Sequence, residues 1–215
     1  MILRRYVWFG KHIAWIALSV QFLSEHRLKD SKDIYMFSWF TARNHRRRNA
    51  HNFYGSIVAL SRAPDLYLKF GVPDTVEGRF EILVLHMFAA LERLSHENSA
   101  QRKLNQDLVN LFFTDMDTSE RELGVGDLKV PKKMRTLAAV FEERIEAYKT
   151  AFDDAEMHAL SDEFEQNIYN GMATSQKSAK KLSGYTHTLR TKMADTPINE
   201  FMDENFDLWA ERRSQ

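Results

Sequence analysis

The stretch FFTDMDTSERELGVGDLKVPKKMRTLAAVFEERIEAY, Phe112 to Tyr148, decides the fold of this chain. It has the local grammar of a helix end, a tight turn and a new helix. Leu111, Phe112, Met116 and Leu123 supply apolar positions, and Gly124 sits where a helix commonly ends with φ > 0. Gly126 permits a second unusual backbone geometry, and Asp127 can cap the next helix by accepting from its free N–H groups. Pro131 is tolerated near a helix start because its missing N–H would be unpaired there anyway. Met134, Leu137, Ala138, Phe141, Ile145, Tyr148 and Phe152 then recur at steps of three and four, one apolar helix face.

The same periodicity extends in both directions. Asn49 to Ser61 predicts a short amphipathic helix with Phe53, Ile57, Val58 and Leu60, and Asp65 to Phe70 a turn or short helix ending at Gly71. Asp74-x-x-Glu77 reads as a capping box. It opens a long helix with Phe80, Leu83, Val84, Met87, Leu91 and Leu94 on one stripe and His86 beside it. Ser99 is expected to cap the next helix, with Leu104 and Leu108 inward. Asp153 and Asp154 are expected to start another, with Leu160, Phe164 and Ile168, which Gly171 ends. Met172 to Met193 is polar and Lys-rich, with sparse apolar positions at Leu182, Tyr185 and Leu189; it reads as a weakly anchored helix or a mobile segment. Pro197 opens a last acidic helix with Phe201, Phe206, Leu208 and Trp209. No useful β-alternation and no internal repeat occur. The expectation is all-α: a single compact bundle of seven to nine helices, with no sheet.

Composition agrees. The 215 residues suit one domain, with or without an appendage, and 44% apolar content is enough for a core. Only 8 Gly and 4 Pro leave little room for a loop-rich β architecture, and the absence of Cys excludes disulfides and thiolate zinc sites. A net charge of zero hides an asymmetry: residues 1–48 carry 10 Lys/Arg against 3 Asp/Glu, the remainder 20 against 27. A basic arm thus precedes an acidic body, and such an arm favours RNA or acidic lipid head groups. Its densest part is Arg43, Arg46, Arg47 and Arg48. These are either a solvated helix start or an electrostatic contact with ribosomal RNA or a membrane surface. Met1 to Leu23 admits three readings: a targeting sequence, an amphipathic or partly inserted anchor, or an extension ahead of a true start at Met36.

Reactive constellations are scarce. Gly124-Val125-Gly126-Asp127 lacks the Lys-Ser/Thr of a P-loop and follows no strand, and neither H-E-x-x-H nor G-x-S-x-G occurs. Asp115 and Asp117 point about 200° apart on a helix and would not share a metal; Arg121 is placed to pair with Asp117 at i, i+4. His86 alone reads as a hydrogen-bonded histidine before it reads as a ligand. No metal and no cofactor are expected. What remains is a binding surface: Asp115, Asp117, Arg121, Glu122, Asp127, Lys132 and Lys133 around a turn held by Gly124, Gly126 and Pro131.

The string D-M-D-x-x-x-R-E-L-G-V-G-D-L-x-V-P-K-K-M, Asp115 to Met134, resembles the signature of the ubiquinol–cytochrome c chaperone family, the assembly factors of the cytochrome bc1 complex. So do Gly71 to Glu81, Leu85-His86-Met87, Arg93-Leu94 and Asn52 to Gly55, in order at the expected separations. Glu120 departs from the pattern, where the family more often has leucine. The resemblance implies a helical chaperone domain over 49–171, between a basic extension at 1–48 and a helical extension at 172–215. It implies a non-catalytic assembly factor that binds newly made cytochrome b, with a small second protein, near the ribosome or membrane surface, and no DNA. The location implied is the bacterial cytoplasm beside the inner membrane, or the mitochondrial matrix in a eukaryote. Asp115 to Met134, with His86, would contact client or partner. The rivals are a helical enzyme, or an RNA- or membrane-binding regulator, with an interhelical apolar pocket. A surface groove lined by Phe, Met and Leu beside Asp115–Lys133 favours the chaperone; an enclosed cavity holding His86 and carboxylates favours the enzyme.

Overall fold

The computed structural model describes residues 32–95, 99–153, 158–170, 175–203 and 206–209. The chain divides into two units, 1–43 and 44–215. In the first, residues 32–43 are helical; the second carries the helical bundle. Seven α-helices and one 3-10 turn occur among the described residues, with no strand: α1 (Lys32–Ser61), α2 (Pro64–Leu68), α3 (Val76–Ser95), α4 (Ser99–Glu122), α5 (Val130–Asp153), α6 (Ala159–Asn167), α7 (Ser175–Asp195) and the turn Glu200–Met202. The all-α expectation holds. Met1 to Leu23, Asp154 and Gly171 lie outside the described residues, as does the Arg43 side chain.

α3 is the centre. Twelve of its 20 residues are buried, from Gly78 to Leu94, and they lie on nearly every side of the helix. A helix apolar all round must be surrounded, and α4, α5 and α7 pack on it. Gly78 permits part of this: a Cβ there would stand 2.1 Å from the carbonyl oxygen of Pro73. The capping box is displaced by one residue. Thr75 is the cap, its Oγ1 accepting from Gly78 N–H at 3.1 Å, while Asp74 pairs with Arg79 at 2.6 Å.

The remaining helices each bury one stripe. α1 contributes Ala50, Phe53, Tyr54, Ile57 and Leu60, α4 Leu104, Leu108 and Phe112, and α5 Val130, Phe141 and Tyr148. Aromatic rings join them: Phe112 lies 4.7 Å from Phe141, and Tyr148 5.7 Å from Phe88 and 5.4 Å from Phe164, centroid to centroid. Because α1 begins at Lys32, the Arg46–Arg48 run is helix interior rather than a helix start. Asp153 likewise ends α5 instead of opening a new helix.

The polar segment Met172 to Met193 is corrected most. Over Ser175–Asp195 it is a core helix that packs on α6 and α3, burying Ala179, Leu182, Ser183, Thr186, Leu189 and Met193. Half of these buried positions are small residues, which a search for large apolar side chains overlooks. Arg93 Nε donates to the Met193 carbonyl at 3.0 Å and fixes the join. Past Pro197 the described residues hold a single 3-10 turn and no α-helix; Phe201 stacks on Phe53 at 4.7 Å.

His86 lies at the α3–α7 contact, fully buried. Nδ1 is 2.8 Å from the Ile82 carbonyl, which can only accept, so Nδ1 carries the proton. Nε2, 2.7 Å from the Tyr185 hydroxyl, then accepts from it. Both ring nitrogens are satisfied in the neutral form, and burial pushes the imidazole pKa down to about 4. A depressed folded-state value means that stability is fully present above the unfolded pKa of 6.5 and is lost as pH falls toward 4. His86 is expected to cost about 3 kcal/mol of stability between pH 7 and pH 4, at about 1.4 kcal/mol per unit. Urea unfolding of the wild type and of His86→Gln at both pH values checks this. The variant should lose about 3 kcal/mol less on acidification, and an equal loss in both proteins would refute the assignment.

Candidate functional site

The turn between α4 and α5 is rigid for reasons its sequence announces in part. Gly124 adopts φ +81°; its N–H bonds the Arg121 carbonyl at 3.0 Å, and Val125 N–H bonds that of Glu120 at 3.1 Å. That is a Schellman ending, which an L-residue at Gly124 would strain. Gly126 has no positive φ, so its expected special geometry is absent. Asp127 does not cap α5. The Gly126 carbonyl accepts from Lys129 and Val130 N–H, while Asp127 Oδ1 accepts from Arg121 Nη1 at 2.6 Å. Arg121 also holds Asp117 at 2.7 Å, so one guanidinium ties the last turn of α4 to the loop. Pro131 lies in the first turn of α5, as expected.

Beside this turn, a groove of about 490 Å³ runs between the ends of α1 and α2, the N-terminal half of α3, the C-terminal half of α4 and the N-terminal half of α5. Phe80, Leu83, Met116 and Leu137 are among its apolar lining. Val76 and Leu123, also part of that lining, are 57% and 60% exposed. Leu128, in the turn itself, is 98% exposed. Large apolar side chains left open in a cluster mark an interaction surface.

The charges along the groove are mostly tied to one another. Arg144 Nε donates to Glu81 at 3.1 Å, with side-chain exposures of 13% and 9%. Burial pushes the Glu81 carboxyl above the usual carboxylate range, and Arg144 offsets part of that rise. The buried Tyr148 hydroxyl adjoins this pair without a well-formed hydrogen bond. Glu120 is buried 2.5 Å from Lys133 Nζ, an ion pair without hydrogen-bond alignment, and it clips α4 to α5 across the turn. Glu120, the departure from the family's leucine, makes no apolar contact here; it meets a half-exposed lysine. Asp115 accepts from the Tyr54 hydroxyl at 2.7 Å, and burial, reinforced by that carboxylate, holds the phenol well above its ordinary pKa and therefore neutral.

The expected site residues thus separate. Asp115 and Lys133 line the groove; Asp117, Arg121, Gly124 and Asp127 build the turn; Glu122, Gly126, Pro131 and Lys132 are exposed around it, and Met134 is half-buried. His86 belongs to the core and reaches no surface. In the basic run, Arg46 is spent on Asp107 at 2.9 Å, and Arg47 and Arg48 stay exposed. Sequence reasoning missed Glu81 and Arg144. The signal was there: Glu81 precedes Leu85 and Phe88 on one diagonal of α3, and Arg144 sits between Phe141 and Tyr148 on that of α5.

A profile of the ubiquinol-cytochrome C chaperone family matches residues 68–209, which carry α3 to α7 and most of the groove. The chain belongs to the ubiquinol-cytochrome c chaperone family. Its structure is similar to that of the Cbp3 homolog from Brucella abortus, with a TM-score of 0.71 and 32% identity over 81% of this chain and 97% of that one. It is also similar to ubiquinol-cytochrome-c reductase complex assembly factor 1 of Xenopus laevis, 23% identical over 84 residues. That match spans 39% of this chain and 42% of the frog protein, less than half of either. The family match runs through α7, the helix whose polar composition disguises its place in the core.

The Glu120–Lys133 clip gives an asymmetric expectation. Lys133→Met leaves a buried carboxylate without a counter-charge and should cost about 2–3 kcal/mol. Glu120→Leu leaves a lysine that can turn to water, and should cost less than about 1 kcal/mol. Denaturant unfolding of both variants decides; equal losses would mean that the pair contributes nothing specific.

Proposed function

We propose that this chain is an assembly chaperone of the ubiquinol–cytochrome c reductase complex, and that its groove receives an apolar or amphipathic segment of newly made cytochrome b. The observation that carries the reading is the open groove itself, with Val76 and Leu123 exposed along it and a floor of Phe80, Leu83 and Met116. A client helix would lay its apolar face between them, as helices do in hydrophobic grooves. Asp115 and the exposed Glu77 lie on the same lining and suit the basic residues that flank cytoplasmic ends of membrane segments. Shielding that segment would keep an unassembled membrane protein from aggregating.

Binding is favoured over catalysis by the state of the charged groups. Glu81 and Glu120 are engaged by Arg144 and Lys133, Asp115 is engaged by Tyr54, and the imidazole of His86 is sealed behind Tyr185. Among the described residues no helix is long and apolar enough to cross a membrane. The exposed Arg47 and Arg48 support an electrostatic tether to the ribosome or to the anionic face of the inner membrane. A small second protein would dock elsewhere on the body. The open groove also favours this reading over the enzyme alternative, which called for an enclosed cavity holding His86 and carboxylates.

Deletion of the gene should lower assembled bc1 complex while cytochrome b message stays normal. In vitro, the double variant Val76→Asp, Leu123→Asp should weaken anisotropy-detected binding of labelled cytochrome b membrane segments at least tenfold. Because both side chains are largely exposed, its melting curve should match the wild type. Undiminished peptide binding by a folded double variant would overturn the groove assignment.

A further inference from the structure

A second opening lies at the other end of the central helices, and nothing in the chaperone reading uses it. It is a cleft of about 760 Å³ between the C-terminal half of α3, the N-terminal half of α4, the C-terminal half of α5 and α7. Its floor is apolar, with Phe88, Leu91, Val109 and Ile145. Among the described residues its charged lining is cationic: Arg102, Lys149 and Arg190, against the one acid Glu92. This reverses the trend of the body, in which residues 49–215 carry 20 basic against 27 acidic side chains. It also differs from the groove, whose lining holds four acids and four bases.

The cations are not equivalent. Arg190 forms a two-pronged pair with Glu92, with Nε 2.9 Å from Oε2, and its guanidinium lies 4.8 Å from the Phe152 ring centre. It is held in place and neutralised. Arg102 and Lys149 are exposed and have no acidic partner among the described residues, so the net excess of positive charge is theirs. On the same lining, Asn105 turns a buried Oδ1 that receives no hydrogen bond. A buried acceptor without a donor is costly and calls for one.

A cleft of this volume with an apolar floor and a few placed polar groups has the form of a small-molecule site. We infer that it binds one molecule of an anionic lipid whose head group carries a hydroxyl. The acyl chain would lie along Phe88, Leu91, Val109 and Ile145; the anion would face Arg102 and Lys149; the hydroxyl would donate to Asn105 Oδ1 once that half-buried side chain turns into the cleft. A peptide helix fits less well. The large exposed apolar side chains among the described residues, Leu68, Val76, Leu123 and Leu128, all lie away from this cleft, which leaves its rim without apolar anchors beyond the floor.

The probe is lysophosphatidylglycerol below its micelle concentration, titrated calorimetrically into the full chain. One saturable site is expected. Arg102→Gln with Lys149→Gln should weaken it at least tenfold, with an unchanged melting curve since both residues are exposed. Asn105→Leu should weaken lysophosphatidylglycerol but leave dodecyl phosphate, which lacks the glycerol hydroxyls, unaffected. Equal affinity for dodecanol would remove the anion from the inference, and equal affinity for inorganic phosphate would remove the chain. Binding only to phosphatidylglycerol vesicles, with none to the monomer, would assign the charge to a membrane-facing surface and overturn the site. Each result is independent of whether cytochrome b segments bind the groove.

Discussion

A helix segment buried on every side has no face on which to leave a polar group in water, and residues 81–90 of α3 form such a segment. Two titratable side chains nevertheless lie inside it, and each dictates its neighbours. His86 requires a donor above and an acceptor below, which Tyr185 and the Ile82 carbonyl supply. Glu81 requires a cation, which Arg144 supplies from α5. The first demand fixes α7 against α3 and the second fixes α5 against it. Apolar packing alone would hold these helices together, but it tolerates sliding by a turn; a satisfied buried polar contact does not.

The same logic reaches the groove. α4 and α5 are antiparallel neighbours joined by a short turn, and their ends would splay if only the Phe112–Phe141 contact held them. The Schellman ending at Gly124, the two-carboxylate grip of Arg121 and the Glu120–Lys133 clip remove that freedom within about one helical turn of the opening. What they leave open is then a shape rather than a gap. An apolar segment docking on a preset wall loses less to ordering the receptor than one that must first organise it.

Much of this was legible in the sequence, and the reasons for the rest are specific. The step-of-three-and-four apolar spacing gave α3, α4 and α5, and Gly124 gave the end of α4, because φ > 0 leaves a compositional mark. The roles of Gly126 and Asp127 were misread because a local motif admits several hydrogen-bond solutions. Here Arg121, six residues upstream, takes the carboxylate that would otherwise cap the helix. α7 was underestimated because half of its buried positions, Ala179, Ser183 and Thr186, are small or polar and leave no apolar stripe in the sequence. Within the groove, Asp115 could be named from its motif, but Glu81 and Arg144 declare themselves only as charges on otherwise apolar diagonals. Which partner each had lay 63 residues away in the chain. His86 drew attention as chemistry and proved to be architecture.

The two openings derive from one arrangement. α4 and α5 have 24 residues each, about 36 Å of helix, and they run in opposite senses against α3. The C-terminal end of α4 therefore meets the N-terminal end of α5 at the groove, and the converse ends meet at the cleft. Between them the Phe112–Phe141 and Phe88–Tyr148 contacts close the layer. At each end the packing thins, and side chains no longer needed for the core are free to differ. At the groove end acids and bases are equal in number and partly paired, bordering exposed Val76 and Leu123, which suits a long apolar segment with charged flanks. At the cleft end two exposed cations, Arg102 and Lys149, have no acidic partner among the described residues and stand over an apolar floor, which suits a single anion with a tail. Residues 49–215 are acidic as a whole and repel an anion on average, so the positive charge of Arg102 and Lys149 is what draws that ligand to the cleft.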